Sequence, residues 1–308
     1  MVIFTAGLVL FLLPFDIADY APDRWASGYI IAMLVVGFSM LFLFAVWETW
    51  LAPVPLFEWR LLTDRTIVGA VLLDATYQLS NYCWSYYFTS WLQVNNDLTI
   101  TTANYINNIF DVVSGIVLLC TGWIIRKVGR YRWTLYIAIP LYILMQGLMI
   151  HFREPNISVG YQVMCQVFLA IGGSMFILVE QLAILAAVDH QHVATALAVL
   201  NVVGTIGNSA GLTISTSIWQ NTFPKALARY LPASAMSEFN KIYEDLAAQT
   251  SYPVGSVVRT AIQKAYAYAE VRLLSVGVGI MVLAIPWTIL IKDIDLKRKD
   301  QVKGTVFR

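Results

Sequence analysis

The sequence predicts an all-α fold, a polytopic transmembrane helix bundle, on three observations. Of 308 residues, 58% are hydrophobic and only 13% are charged, about half the charged share of a soluble domain. So few charges cannot cover a water-facing surface, and the mean hydropathy of +0.66 makes lipid the solvent for most of the chain. The apolar residues fall into eight long segments. Lys and Arg collect in alternate connections between those segments, as they do when a chain threads a membrane repeatedly.

In order, the segments are 1–15, 28–47, 67–92, 102–125, 133–151, 160–188, 193–219 and 272–291. Backbone groups cannot stay unpaired in hydrocarbon, so each is expected to be helical. The segments are too long for barrel strands and do not alternate with period two. The first run, Val2 to Pro14, is shorter than the roughly 20 residues of a span. It has no Lys or Arg ahead of it, unlike a signal peptide, and reads as the tail of a helix that begins upstream.

The cations orient the bundle. Arg126, Lys127, Arg130 and Arg132 join the fourth and fifth segments. Arg60 and Arg65 precede the third, and Lys292, Lys297, Arg298, Lys299, Lys303 and Arg308 follow the last. These connections are predicted cytoplasmic, with only Arg24, none, and Arg153 in the opposite short loops. The organisation expected is two helices over 1–50, a cytoplasmic connection at 51–66, six helices over 67–291 and a basic cytoplasmic tail at 292–308. The connection 220–271 is assigned outside, as two short amphipathic helices split near Ser251-Tyr252-Pro253-Val254-Gly255. A connection of that length is expected to carry function.

Several classes are excluded. A net charge of +1 offers no basic face to nucleic acid. Cys83, Cys120 and Cys165 sit in apolar stretches without CxxC spacing and are read as buried thiols. His190 and His192 lie in a short turn beside Asp189 with too few ligands nearby for a metal site. Asn156-Ile157-Ser158 is a glycosylation sequon, a three-residue signal of low specificity. Neither a P-loop nor a GxSxG or HExxH motif occurs, so no enzyme, cofactor or protein-bound metal is expected.

The candidate site residues are polar groups inside apolar segments. Asp74, Asp111 and Glu180 are intramembrane carboxyls, each costly unless it faces a cavity or a partner. They are proton-coupling candidates, against the plainer reading of hydrogen-bonded packing groups. Asn104, Asn107, Asn108, Asp111, Ser114 and Gly115 recur every three or four residues, which places them on one helix face. Asp111 lies about 15 Å along its helix, near the midplane. Gln78 and Tyr82, with Asn81 and Ser85, repeat the theme one segment earlier. The set predicts a wet central cavity, against interhelical hydrogen bonding without a pathway. Tyr82 and Trp84 are deep enough to meet a bulky ligand. Gly204, Gly207 and Gly211 predict a close helix crossing.

Gly122 followed by Arg126-Lys127-Val128-Gly129-Arg130-Tyr131-Arg132 resembles the cytoplasmic loop motif of the major facilitator superfamily. It stands between the second and third of the last six segments, where the second half of such transporters carries it. The 53–62 stretch resembles the connection before that half in fourteen-helix members, which would make the first two segments the extra pair between halves. Leu73-Asp74-Ala75-Thr76, Leu148-Met149-Ile150-His151-Phe152-Arg153, Asn221-Thr222-Phe223-Pro224-Lys225-Ala226-Leu227 and Ser251-Tyr252-Pro253-Val254-Gly255-Ser256 are similar to the fungal siderophore–iron transporters. The resemblance implies proton-coupled import of ferric siderophores, at the plasma membrane or at an endosomal or vesicle membrane. Iron would be carried as its chelate, and Tyr252 and Pro253 would act in the external loop. It also implies that an N-terminal half is missing from this sequence. A fourteen-helix multidrug exporter and a non-transporting membrane receptor or fragment are the alternatives.

Overall fold

The computed structural model describes residues 2–17, 21, 26–52, 63–155 and 157–297. The 53–62 motif, Asn156 and the tail beyond 297 lie outside the described residues. Helices α1 (Val2–Ile17) and α2 (Gly28–Trp50) form a hairpin, and α1 also touches α9 below. Next come α3 (Arg65–Ser85) and α4 (Phe88–Asn96), separated at Tyr86–Tyr87 within the single segment predicted. Helices α5 (Ile100–Asn107) and α6 (Ile109–Val128) meet at Asn108 as one long span. They are followed by α7 (Arg132–His151), α8 (Val159–Ala187) and α9 (Val193–Tyr230). After the short α10 (Phe239–Glu244) and α11 (Leu246–Ser251) come α12 (Val257–Met281) and α13 (Ala284–Leu290). Six described stretches are long and apolar enough to cross a membrane: Gly28–Trp50, Ile100–Val128, Arg132–His151, Val159–Ala187, Val193–Tyr230 and Val257–Leu290. Cys83 and Cys165 are buried, whereas Cys120 is exposed on the outer face of α6.

The connection expected over 220–271 is shorter. Helix α9 continues through Pro224 to Tyr230, and α12 begins at Val257. Hydropathy alone misplaces both ends, because the added turns are amphipathic. Trp219, Phe223, Ala226 and Leu227 are buried on α9, as are Ala261, Ile262, Ala265, Tyr266 and Ala269 on α12. Those spacings are one helix face packed on protein. The expected split at 251–255 is present, but the segment beyond it is one long helix.

Helix α3 is the hub, packing on α8, α9, α12 and α13. Its crossing with α9 is set by the predicted glycines. Gly204 lies against the Asp74 carboxyl, Gly207 against the Ala75 backbone, and Gly211 against Leu79 and Tyr82. Any side chain there would hold the helices apart.

Asp64 starts α3. Its carboxylate accepts from the Thr66 N–H at 2.7 Å and the Ile67 N–H at 3.4 Å. Partial burial pushes the carboxyl up, but these donors and Lys292, 3.5 Å away, outweigh it and hold Asp64 below its ordinary value. Asp64→Ala is expected to cost about 1 kcal/mol at neutral pH. A carboxyl depressed in the fold stabilises fully above its unfolded pKa of about 4 and loses that contribution as pH falls through the lower folded value. Thermal unfolding of both proteins should therefore converge in acid.

The basic end is a closed corner. Gly129 ends α6 at φ 84°, a left-handed conformation that favours glycine. Its carbonyl accepts from the Leu296 N–H at 2.9 Å. The Tyr131 hydroxyl donates to the Lys292 carbonyl at 2.8 Å, Arg130 meets Asp293 at 3.4 Å, and Lys297 reaches the Lys127 carbonyl. The start of the predicted tail, 292–297, is thus docked on the turn that carries the motif. Arg126 is exposed, and Gly122 is half-buried facing α8 at Leu178.

Candidate functional site

The predicted polar residues fall into two groups rather than one cavity wall. On α5 and α6, Asn104, Asn108, Asp111 and Gly115 are exposed, and Asn107 is half-buried. Helix α6 leans on α8, where Phe110 packs at Gly173, and shares no substantial contact with α3. This polar stripe therefore lies on a face that the described chain leaves open. Lipid does not tolerate such a face, so water or other protein must meet it.

The second group is inside the bundle. Asp74 on α3 and Glu180 on α8 are 7% and 2% exposed and lie within electrostatic reach of each other. Gln78 bonds the Asp74 carboxyl. One Glu180 oxygen has no protein partner, and among the described residues no Lys or Arg pairs with either acid. The Tyr77, Tyr142 and Phe176 rings pack edge-on beside them at 4.9–5.7 Å. Farther along α3, the Ser80 hydroxyl donates to the Gly277 carbonyl of α12 at 2.8 Å and bonds Gln146 of α7. Ser80 thus lies about 120° around α3 from Asp74, facing α12 and α7 where Asp74 faces α9. Gln78 and Tyr82 are half-buried. Trp84, expected to meet ligand, is 1% exposed and belongs to the core.

The bundle also buries a pair that sequence reading misses. Arg153 and Glu270 are both fully buried, with Nε and Oε2 3.4 Å apart. Arg153 donates from Nη1 to Gln162 at 2.9 Å, and its guanidinium lies over Phe88 and Trp91 at 4.5 Å and Trp84 at 5.6 Å. By hydropathy Arg153 falls in a short loop and Glu270 in the long one. The signal that could have found Glu270 is the Ala261, Ala265, Ala269 spacing ahead of it, a buried helix face running into an acid.

At the same end, Tyr252 donates to Glu238 at 2.7 Å. The bond favours the neutral phenol and pushes its pKa up. Pro253 is exposed beside it.

No family model matches the chain. Among curated proteins it is 51% identical over 307 residues to the siderophore iron transporter mirB of Emericella nidulans, covering 100% of this chain and 51% of that protein. It is 51% identical to an MFS siderochrome iron transporter 1 of Gibberella zeae, covering 99% and 50%. Siderophore iron transporter 1 of Schizosaccharomyces pombe is 33% identical over 91% of this chain and 46% of its own. The chain spans about half the length of the curated relatives it matches. Among solved structures, a bacterial homologue of the human lysosomal transporter Spinster, inward-facing and unoccupied, aligns over 92% of this chain and 68% of its own. The TM-score there is 0.48 and the identity 13%.

A bundle of apolar helices carrying one open polar stripe and buried polar groups is a multi-pass membrane protein. The chain belongs to the fungal siderophore iron transporters of the major facilitator superfamily.

Proposed function

We propose that this chain serves proton-coupled import of a ferric siderophore, with the iron bound by its chelator and not by protein ligands. The observation that carries the reading is the identity of 51% with a siderophore iron transporter along the whole chain. The open stripe of Asn104, Asn107, Asn108 and Asp111 supplies donors and acceptors for an oxygen-rich chelate, with Gln78 and Tyr82 nearer the bundle axis. Asp74 and Glu180 would hold the coupling protons. Buried charge needs a partner, and a proton is the smallest available. The basic corner at Arg126–Arg132 and the C-terminus would lie in the cytosol, and Tyr252 and Pro253 outside.

The test is uptake of radio-iron siderophores by cells without their own uptake system. They would express the chain alone, or joined to the N-terminal half of the Emericella nidulans relative. Uptake abolished by an uncoupler supports the reading, and Asp111→Asn should cut it by about tenfold or more. Properly inserted protein that moves no siderophore in either form rejects it.

A further inference from the structure

The carboxyl that the proposed function leaves unused is Glu270. Its surroundings are lopsided. Arg153 has four contacts besides Glu270, the Gln162 side chain and the faces of Phe88, Trp91 and Trp84, although its Nε and Nη2 donate no hydrogen bond. The ring faces attract a cation whether or not an anion is near. Glu270 has Arg153 alone, and neither carboxylate oxygen accepts a hydrogen bond. Even the contact between them is a single point, not the two parallel bonds that an arginine fork can make. Removing the negative charge thus leaves the cation housed, whereas removing the cation strands a buried anion.

We propose that Glu270 is a proton-exchange site, whose carboxylate takes up and releases a proton while Arg153 stays charged in its aromatic cage. One proton from the aqueous phase forms an O–H bond on a Glu270 oxygen. No covalent bond in the protein breaks, the ion pair lapses, and the same proton leaves on return. The groups facing Glu270 are Arg153 from the α7–α8 turn and Cys83 from α3. Tyr266 lies one turn away on its own helix, and Cys165 of α8 stands beside Arg153. No other charge acts on it among the described residues. Glu270 lies two turns, about 10 Å, from Gly277, where the Ser80–Gln146 link begins. It would be a third buried carboxyl of the bundle, with Asp74 and Glu180. That placement on a proton route rests on the import reading, but the exchange itself does not.

The experiment is infrared difference spectroscopy of the chain in nanodiscs of neutral lipid, stepped from about pH 8 to about pH 5. A protonated-carboxyl C=O band should appear, persist in the Asp74→Asn/Glu180→Gln double variant, and vanish in Glu270→Gln. Chemical unfolding supplies the second arm. Arg153→Gln should lower the folded-to-unfolded ratio by about a hundredfold or more, and Glu270→Gln by less than about tenfold. Absence of the band, its survival in Glu270→Gln, or equal losses in the two single variants would overturn the proposal. None of these readouts needs siderophore uptake, so failure of the import reading would show separately.

Discussion

Gly207→Val is expected to part α3 from α9, lowering stability by about 3 kcal/mol and the unfolding temperature in detergent by about 10 °C. A Cβ at this position meets the Ala75 carbonyl oxygen at less than contact distance, and the Ala75 Cα and carbonyl carbon at 2.9 and 3.0 Å. All three are backbone atoms of a helix, so no side chain can swing aside. The crossing is shared with Gly204 on the Asp74 carboxyl and Gly211 on Leu79, so opening it at the middle loosens all three. Gly115→Ala is the control. Its Cβ meets nothing within 4 Å, and the gain in helix propensity is worth at most about 1 kcal/mol. A Gly207→Val protein that melts with its parent would show that the two helices are not in this contact.

That crossing is legible in the sequence because its signal is local. Small residues at spacings of three and four on an apolar segment mean close approach whatever the neighbour. The same holds for the open stripe of α5 and α6, whose asparagines share a face by periodicity alone. Arg153 and Glu270 are not legible, for the opposite reason. Each charge lowers the hydropathy of its own stretch and pushes it toward a loop assignment. Their burial becomes tolerable only through partners more than a hundred residues apart, a relation that one-dimensional pattern does not hold. Asp74 and Glu180 stand out because they interrupt otherwise apolar segments. Their pairing depends on how α3 meets α8, and periodicity fixes a face without choosing its neighbour.

Arg259 belongs to the hidden class and carries the second large effect. Its side chain is fully buried at the mouth of α12. It donates from Nε to the Val94 carbonyl at 3.0 Å and from Nη2 to the Gln93 carbonyl at 3.0 Å and Asp97 at 3.2 Å. From Nη1 it reaches the Gln249 carbonyl at 2.9 Å. The Gln93 and Val94 carbonyls belong to the last turn of α4, where the helix itself supplies no donors. Gln263 covers Val94 and Asn95 from the next turn of α12. Arg259→Ala would strand the Gln93 and Gln249 carbonyls at about 1–3 kcal/mol each, a total near 3–5 kcal/mol. Arg259→Lys should rescue little, because one ammonium cannot span acceptors on α4 and on the 231–256 connection together. Limited elastase digestion gives the local readout. Cleavage after Ala247 or Ala248 should quicken by about tenfold or more in both variants, before global unfolding. Parent-like digestion of Arg259→Lys would show that the guanidinium does not clamp these elements together. The clamp also bears on how Tyr252 can act. Gln249 is tied to α12 again by the Tyr266 hydroxyl at 2.7 Å, so residues 246–252 travel with α4 and α12. Any hinge in this connection must lie before Leu246, and Tyr252 meets its partners from an anchored platform.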